Sequence, residues 1–256
     1  MDTNSTLVLD SFTVNRGAGP VISDVSLTVT PGEIITVVGS NGSGKTSLIE
    51  AISGVIPHSN GHIALDGERI DKLSRVSRAR RGIVHIEQGR TVFPSLTVRE
   101  NLTLTAHTRN DFDAALAMFP ELEKRISSPA GVLSGGEQQM VVLARACAAR
   151  PRFLLVDEMS LGLAPIVFAR LFPLIRTMAD SGTGVLLVEQ FTGLALKYAD
   201  EAVVVASGHV TYQGQARDLL ASPELLQKAY LGGSAEKPSH STITQLMAES
   251  RQQHDA

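Results

Sequence analysis

The sequence predicts an α/β fold on a mainly parallel sheet, and three observations predict it. Three short runs are strand-like and apolar on both faces: Glu33-Ile34-Ile35-Thr36-Val37-Val38, Phe153-Leu154-Leu155-Val156 and Val185-Leu186-Leu187-Val188. Strands buried on both faces belong to parallel sheets covered by helices. Helical stretches lie between them, as in Pro165 to Ala179, where Ile166, Ala169, Leu171, Phe172, Leu174, Ile175 and Met178 recur at mostly helical spacing. The first run also ends in a glycine-rich loop, after which Ser47 to Ile52 can continue as a helix.

Composition narrows the function. The chain has 256 residues, 43% hydrophobic, 19% charged and 4% aromatic, which excludes a disordered chain and suits one domain carrying a subdomain. A net charge of −3, from 23 basic and 26 acidic residues, argues against a dedicated nucleic-acid binder. Cys147 has no second cysteine to pair with, and the seven histidines lack metal-ligand spacing. Met1 to Asp10 has neither the basic start nor the apolar core of a secretory signal. No run reaches the roughly 18 apolar residues of a membrane span, so a soluble protein is expected.

The remaining elements follow in order. Asp66-Gly67, between His62 to Leu65 and Glu68 to Ile70, predicts a hairpin turn. Arg75, Arg78, Arg80 and Arg81 predict a solvated basic helix face. From Gly89 to about Leu133 no buried-strand run occurs, and Leu102 to Ala106 and Phe112 to Phe119 read as helical. The expected organisation is one domain over 1–233. Residues 1–88 and 133–233 form its α/β core, 89–132 a helical subdomain, and 234–256 a polar flexible tail.

Gly39-Ser40-Asn41-Gly42-Ser43-Gly44-Lys45-Thr46 fits the phosphate-loop pattern G-x-x-x-x-G-K-[ST] in full, between a predicted strand and a predicted helix. Glycines let successive backbone N–H groups turn inward around phosphate oxygens, and the helix N-terminus adds positive charge. Lys45 is placed on the β- and γ-phosphates, Ser47 beside them, and the Thr46 hydroxyl on Mg²⁺. Asp157-Glu158 follows the buried strand Phe153 to Val156, at the strand end where α/β sheets hold ligands. Asp157 is expected to hold Mg²⁺ and Glu158 to orient or deprotonate the attacking water. Together the two motifs predict a P-loop NTPase that hydrolyses ATP.

Leu133-Ser134-Gly135-Gly136-Glu137-Gln138-Gln139 resembles the LSGGQ-type signature of ATP-binding cassette (ABC) proteins. The resemblance covers about residues 7 to 232. It implies an ABC ATPase core, with an antiparallel β subdomain and the inserted helical subdomain. It further implies a head-to-tail dimer, in which ATP lies between the phosphate loop of one chain and Ser134, Gly135, Gly136, Glu137 and Gln138 of the other. Gln88, before Gly89-Arg90-Thr91-Val92-Phe93-Pro94, is similar to the family's Q-loop glutamine, a sensor of Mg²⁺ and attacking water. Ser160-Leu161-Gly162-Leu163-Ala164-Pro165 stands where the D-loop should be, and Gln190 takes the place of the switch histidine. An amide there can hydrogen-bond a γ-phosphate but cannot carry a proton as imidazole can. Arg16 occupies the position where family members stack an aromatic ring on adenine; a guanidinium can also stack, and a solvated loop residue is the alternative reading.

Glu158-Met159-Ser160-Leu161-Gly162-Leu163-Ala164-Pro165, Leu187-Val188-Glu189-Gln190, and Ser222-Pro223-Glu224 leading to Ala229-Tyr230-Leu231-Gly232 look like the LivF-type ATP-binding subunits of bacterial branched-chain amino-acid importers. The resemblance implies two integral-membrane permeases, an extracytoplasmic solute-binding protein acting indirectly, and a peripheral place on the cytoplasmic face of the cell membrane. Met159 in place of the usual proline and Ala164 in place of the usual aspartate point to unequal sites. A different ABC ATPase chain is therefore the expected partner, with a homodimer as the alternative. A soluble ABC ATPase acting on nucleic acid or ribosomes is the competing function. Its relatives usually carry two cassettes or a long coiled-coil insertion, which this chain lacks.

Overall fold

Alternation along the buried strands divides the interior into two cores. The computed structural model describes residues 5–17, 19–89 and 91–233. The tail expected over 234–256, Arg90 and the extreme N-terminus lie outside the described residues. In β3 (Ile34–Gly39), Ile34 and Val38 face one core while Ile35 and Val37 face the other. In β7 (Phe153–Asp157), Leu154 and Val156 oppose Phe153 and Leu155; in β8 (Gly184–Val188), Val185 and Leu187 oppose Leu186 and Val188. These strands are buried along their whole length, as the apolar runs predict.

The other strands are β1 (Leu7–Arg16), β2 (Gly19–Val29), β4 (Asn60–Leu65), β5 (Glu68–Arg69), β6 (Ile83–Ile86), β9 (Glu201–Ala206) and β10 (His209–Gln215). They form a ten-stranded sheet in the order β5-β4-β1-β2-β10-β9-β3-β8-β7-β6. From β9 to β6 every pair is parallel. The opposite half is antiparallel through β1–β2, β1–β4 and β4–β5, and a single parallel bridge, His209 to Ser23, joins the halves. Asp66 (φ 54°) and Gly67 (φ 77°) make the turn between β4 and β5, both with the positive φ that a two-residue hairpin loop requires.

The helices are α1 (Lys45–Ser53), α2 (Arg75–Arg80), α3 (Val98–Thr103), α4 (Arg109–Met118), α5 (Gly135–Ala148), α6 (Pro165–Phe168), α7 (Phe172–Asp180), α8 (Thr192–Tyr198), α9 (Ala216–Ala221) and α10 (Pro223–Tyr230). The stretch predicted as one helix from Pro165 to Ala179 is two, α6 and α7. Pro173 sits in the first turn of α7, has no N–H for the preceding turn and disfavours helical geometry before it. Between β6 and β7 the chain is helical, with capping boxes Thr97–Glu100 and Thr108–Asp111 starting α3 and α4. Asn101, fully buried, donates Nδ2 to the carbonyls of Phe93, Leu96 and Thr97 and accepts from the Phe93 N–H at 2.9 Å. One side chain thereby shapes the loop between Gln88 and α3.

The basic cluster differs from its expected solvated face at one residue. Arg78 is 3% exposed and donates to the carbonyls of Ala51 and Ile52 at the end of α1, at 2.8 and 2.7 Å. It also donates to the carbonyls of Leu73 and Asp71. Chain-terminal helix carbonyls need such donors, and one guanidinium serves four oxygens. Arg78→Met should therefore destabilise the fold by about 3 kcal/mol, read as a lower urea midpoint at unchanged slope; an unchanged midpoint would contradict this capping role.

Candidate active site

Parallel pairing brings the ends of β3, β6, β7 and β8 to one edge of the sheet, and each strand delivers a predicted residue there. The phosphate loop leaves β3 and enters α1. Gly44 has φ 99°, and a Cβ on it would stand 2.4 Å from the Val21 carbonyl oxygen; one on Gly39 would stand 2.1 Å from that of Val205. Only glycine fits these backbone positions. Lys45 is buried and donates Nζ to the carbonyls of Gly39 and Ser40, both at 2.9 Å. Burial lowers its pKa, against the charges of Glu158 and Asp157.

Asp157 ends β7 and accepts from the Thr46 hydroxyl at 3.2 Å. Burial pushes its carboxyl up to about 6; the Glu158 charge adds to the rise and the Thr46 bond opposes it. Glu158 follows at φ 41°, left-handed backbone that costs a non-glycine residue of order 1–3 kcal/mol. The amides of Gln88 and Gln190 converge on its carboxylate, donating to Oε2 at 2.9 and 3.1 Å. Residues beyond three separate strand ends, those of β6, β7 and β8, thus meet around one carboxylate.

Val21, Asn41, Gly42, Gly44, Lys45, Thr46, Ser47, Gln88, Glu158 and Gln190 line a cavity of about 430 Å³. Ser40 and Gly39 border an adjoining cavity with Asn41, Gln190, Thr192 and Tyr230, where Thr192 and Tyr230 hydroxyls meet at 2.5 Å. The Ser43 hydroxyl is buried in the loop and has no hydrogen-bond partner among the described residues, as an oxygen-rich phosphate would satisfy. The oxygens of Thr46, Asp157 and Gln88 are the hard donors that Mg²⁺ takes. Nucleotide and metal therefore fit the residues present.

One expected contribution falls elsewhere. Arg16 pairs with Glu50 and donates Nε to Ser47 Oγ at 3.3 Å, so it braces the first turns of α1; Val21, absent from the predicted set, lines the cavity. The signature residues Ser134 to Gln138 do not line it. Ser134 caps α5 in a capping box with Glu137, accepting from the Glu137 N–H at 3.3 Å while its own N–H donates to Glu137 Oε2 at 2.8 Å. Gly136 packs against α6, where a Cβ would meet the Val167 side chain at 2.4 Å. Gln138 donates to the Ala130 carbonyl at 3.1 Å.

Two more residues, assigned no role from sequence, support the site. Gln139 donates Nε2 to the Met159 carbonyl at 3.0 Å, and Glu189 accepts from Ser160 Oγ at 2.6 Å. Glu189 is fully buried, and burial pushes its carboxyl up to about 7. Its signal lay in the quoted Val188-Glu189-Gln190 run, a carboxylate directly after a buried strand.

Comparison with known proteins follows the same motifs. Residues 22–160 match the model of the ABC transporter family. The chain is 38% identical over 233 residues to the high-affinity branched-chain amino acid transport ATP-binding protein BraG of Pseudomonas aeruginosa, covering 89% of this chain and 100% of that protein. It is 36% identical to the lipopolysaccharide export system ATP-binding protein LptB of Escherichia coli, covering 83% of this chain and 91% of that protein. It is also 36% identical to a branched-chain amino acid transport ATP-binding protein, LivF, of Archaeoglobus fulgidus, over 83% of this chain and 92% of that one. In fold it matches an ATP-binding cassette of an ABC transporter in its ADP conformation, with a TM-score of 0.78 at 23% identity, covering 89% of this chain and 99% of that one.

Two further perturbed groups, Glu189 and His85, give opposite pH signatures. A carboxyl held near 7, above its usual 4.5, makes folding stability fall as pH rises from about 4.5 through 7. His85, half-buried and lowered by desolvation to about 4, makes stability rise between about 4 and 6.5. The difference between wild type and Glu189→Gln isolates the carboxyl. The wild-type advantage in Tm should shrink between pH 5 and 8; a constant difference would show that Glu189 titrates normally.

Proposed function

The chain belongs to the ABC transporter family and is an ATP-hydrolysing transport ATPase, and from that premise we propose that it powers uptake of branched-chain or other amino acids through two membrane permease chains. Likeness to BraG over that protein's entire length supports the substrate class. The LptB relative serves export, so direction rests on the SLGLAP and VEQ sequences shared with the importer branch. Among the described residues no helix is long and apolar enough to cross a membrane, and the path across it is assigned to the permeases. The helical segment 89–132 is the unit assigned to push on them, with 1–88 and 133–233 as the ATPase core.

Hydrolysis is assigned to Glu158. Its carboxylate accepts the proton of the attacking water, held in place by the Gln88 and Gln190 amides that converge on it. Lys45 and the loop N–H groups balance charge on the γ-phosphate. Thr46, Asp157 and Gln88 would hold Mg²⁺, which would supply Lewis-acid stabilisation of the phosphate oxygens. The convergence of both amides on this carboxylate is the observation that carries the assignment.

A second chain completes the site in this reading. Ser134 to Gln138 lie away from the cavity, ready to cover a partner's nucleotide, and a related bacterial cassette is described as dimeric. Exposed apolar side chains, Val132 beside the signature and Leu161 and Ile166 in the D-loop region, give that partner an apolar surface. We assign a different ABC ATPase chain to this place and the cytoplasmic face of the membrane as its location.

Glu158→Gln should trap the ATP-bound dimer and abolish turnover and uptake; full ATPase activity in that variant would refute the assigned base. Affinity capture of the tagged chain from native membranes in mild detergent should recover two permeases and a second cassette protein. Recovery of ribosomes or nucleic acid without membrane protein would overturn the transport reading.

A further inference from the structure

Glu158 holds φ 41°, a conformation that persists in a non-glycine residue only where its surroundings over-determine it. Its own N–H donates to the Val188 carbonyl at 2.9 Å and its carbonyl accepts from the Leu161 N–H at 3.2 Å; the side-chain restraints fall on the two residues after it. Gln139 of the signature helix donates Nε2 to the Met159 carbonyl at 3.0 Å. Glu189 takes the Ser160 hydroxyl on Oε2 at 2.6 Å and the Ser160 N–H on Oε1 at 3.3 Å. Both Gln139 and Glu189 are fully buried, so water does not compete for these bonds. Glu189 also adjoins Gln190, whose amide touches Glu158. One carboxyl group therefore ties the loop after β7 to the loop after β8. Burying a carboxyl costs desolvation that an apolar side chain of the same size avoids; packing alone does not account for it.

We propose that Glu189 is a positioning residue for ATP hydrolysis, holding Glu158 in its left-handed conformation by clamping Ser160, with Gln139 as the matching restraint from the signature helix. The inference rests on Glu158 being the hydrolytic base. It also links the D-loop and switch segments of a chain whose switch position is an amide and cannot itself titrate.

The test compares Glu189→Ala, Glu189→Gln, Ser160→Ala and the Glu189→Ala/Ser160→Ala double variant of the full chain. ATPase rates are normalised to bound trinitrophenyl-ATP, so loss of folded protein does not register. Glu189→Ala should lower kcat roughly 100-fold, the scale of a misplaced catalytic group, with KM for ATP unchanged. Glu189→Gln, whose amide oxygen still accepts from Ser160, should recover much of that loss. The double variant should be no slower than Glu189→Ala, since both changes cut the same tie. Wild-type kcat in Glu189→Ala, or multiplied losses in the double variant, would overturn the proposal. Should Glu189→Ala fail to fold, Ser160→Ala carries the test: it should lower kcat at unchanged KM, and wild-type kcat there overturns the clamp. Glu158→Gln separates the two readings. Turnover in that variant removes the base assignment, whereas inactivity there beside full activity in Glu189→Ala removes only the clamp.

Discussion

Parallel hydrogen bonding among β3, β8, β7 and β6 is the constraint on which the site depends. In a parallel ladder all strands end at the same edge, and the register here runs unbroken from Ile34–Val185 to Val37–Val188 and from Phe153–Gly184 to Asp157–Val188. Lys45, Gln88, Glu158 and Gln190 are far apart along the chain, yet each stands just beyond one of these strands. Because both faces of the strands are buried, the backbone has no freedom to slip by a residue without turning every side chain to the wrong core. The apolar runs thus position the polar chemistry.

Around that edge, three buried carboxyls are each met by hydrogen-bond donors. Asp157 with Thr46, Glu158 with two amides, and Glu189 with Ser160 each place a carboxyl where desolvation alone would be unfavourable. Rigid dipoles of this kind keep their orientation while charge develops on a phosphate. The strained backbone of Glu158 belongs to the same scheme, since its neighbours are held from α5 on one side and from the loop after β8 on the other.

The phosphate loop and the signature sit on one chain without meeting around one cavity, while the helical segment is tied to the core through Thr105, whose hydroxyl donates to the Arg145 carbonyl at 2.6 Å, and through Arg145, which donates to the Thr91 carbonyl at 2.8 Å. Arg145 also covers the Phe93 ring at 5.1 Å, beside a groove of about 390 Å³ between β6 and α5.

Much of this was legible in the residues alone. Phosphate loop, Asp157-Glu158 and signature announce themselves because phosphate chemistry demands certain residue types at short fixed spacing, and the buried runs announce the parallel sheet because nothing else buries both faces of so short a strand. Side-chain partnerships across the fold were not legible. The burial of Arg78 on the end of α1, the turning of Arg16 toward Glu50, the break before Pro173 and the clamp of Glu189 on Ser160 join or interrupt segments by tertiary packing. Local sequence determines which backbone shapes and chemistries are available. Which buried polar group finds which partner was decided only when the sheet brought distant strand ends within hydrogen-bond reach, since a bond between residues 29 apart leaves no periodic mark on the chain.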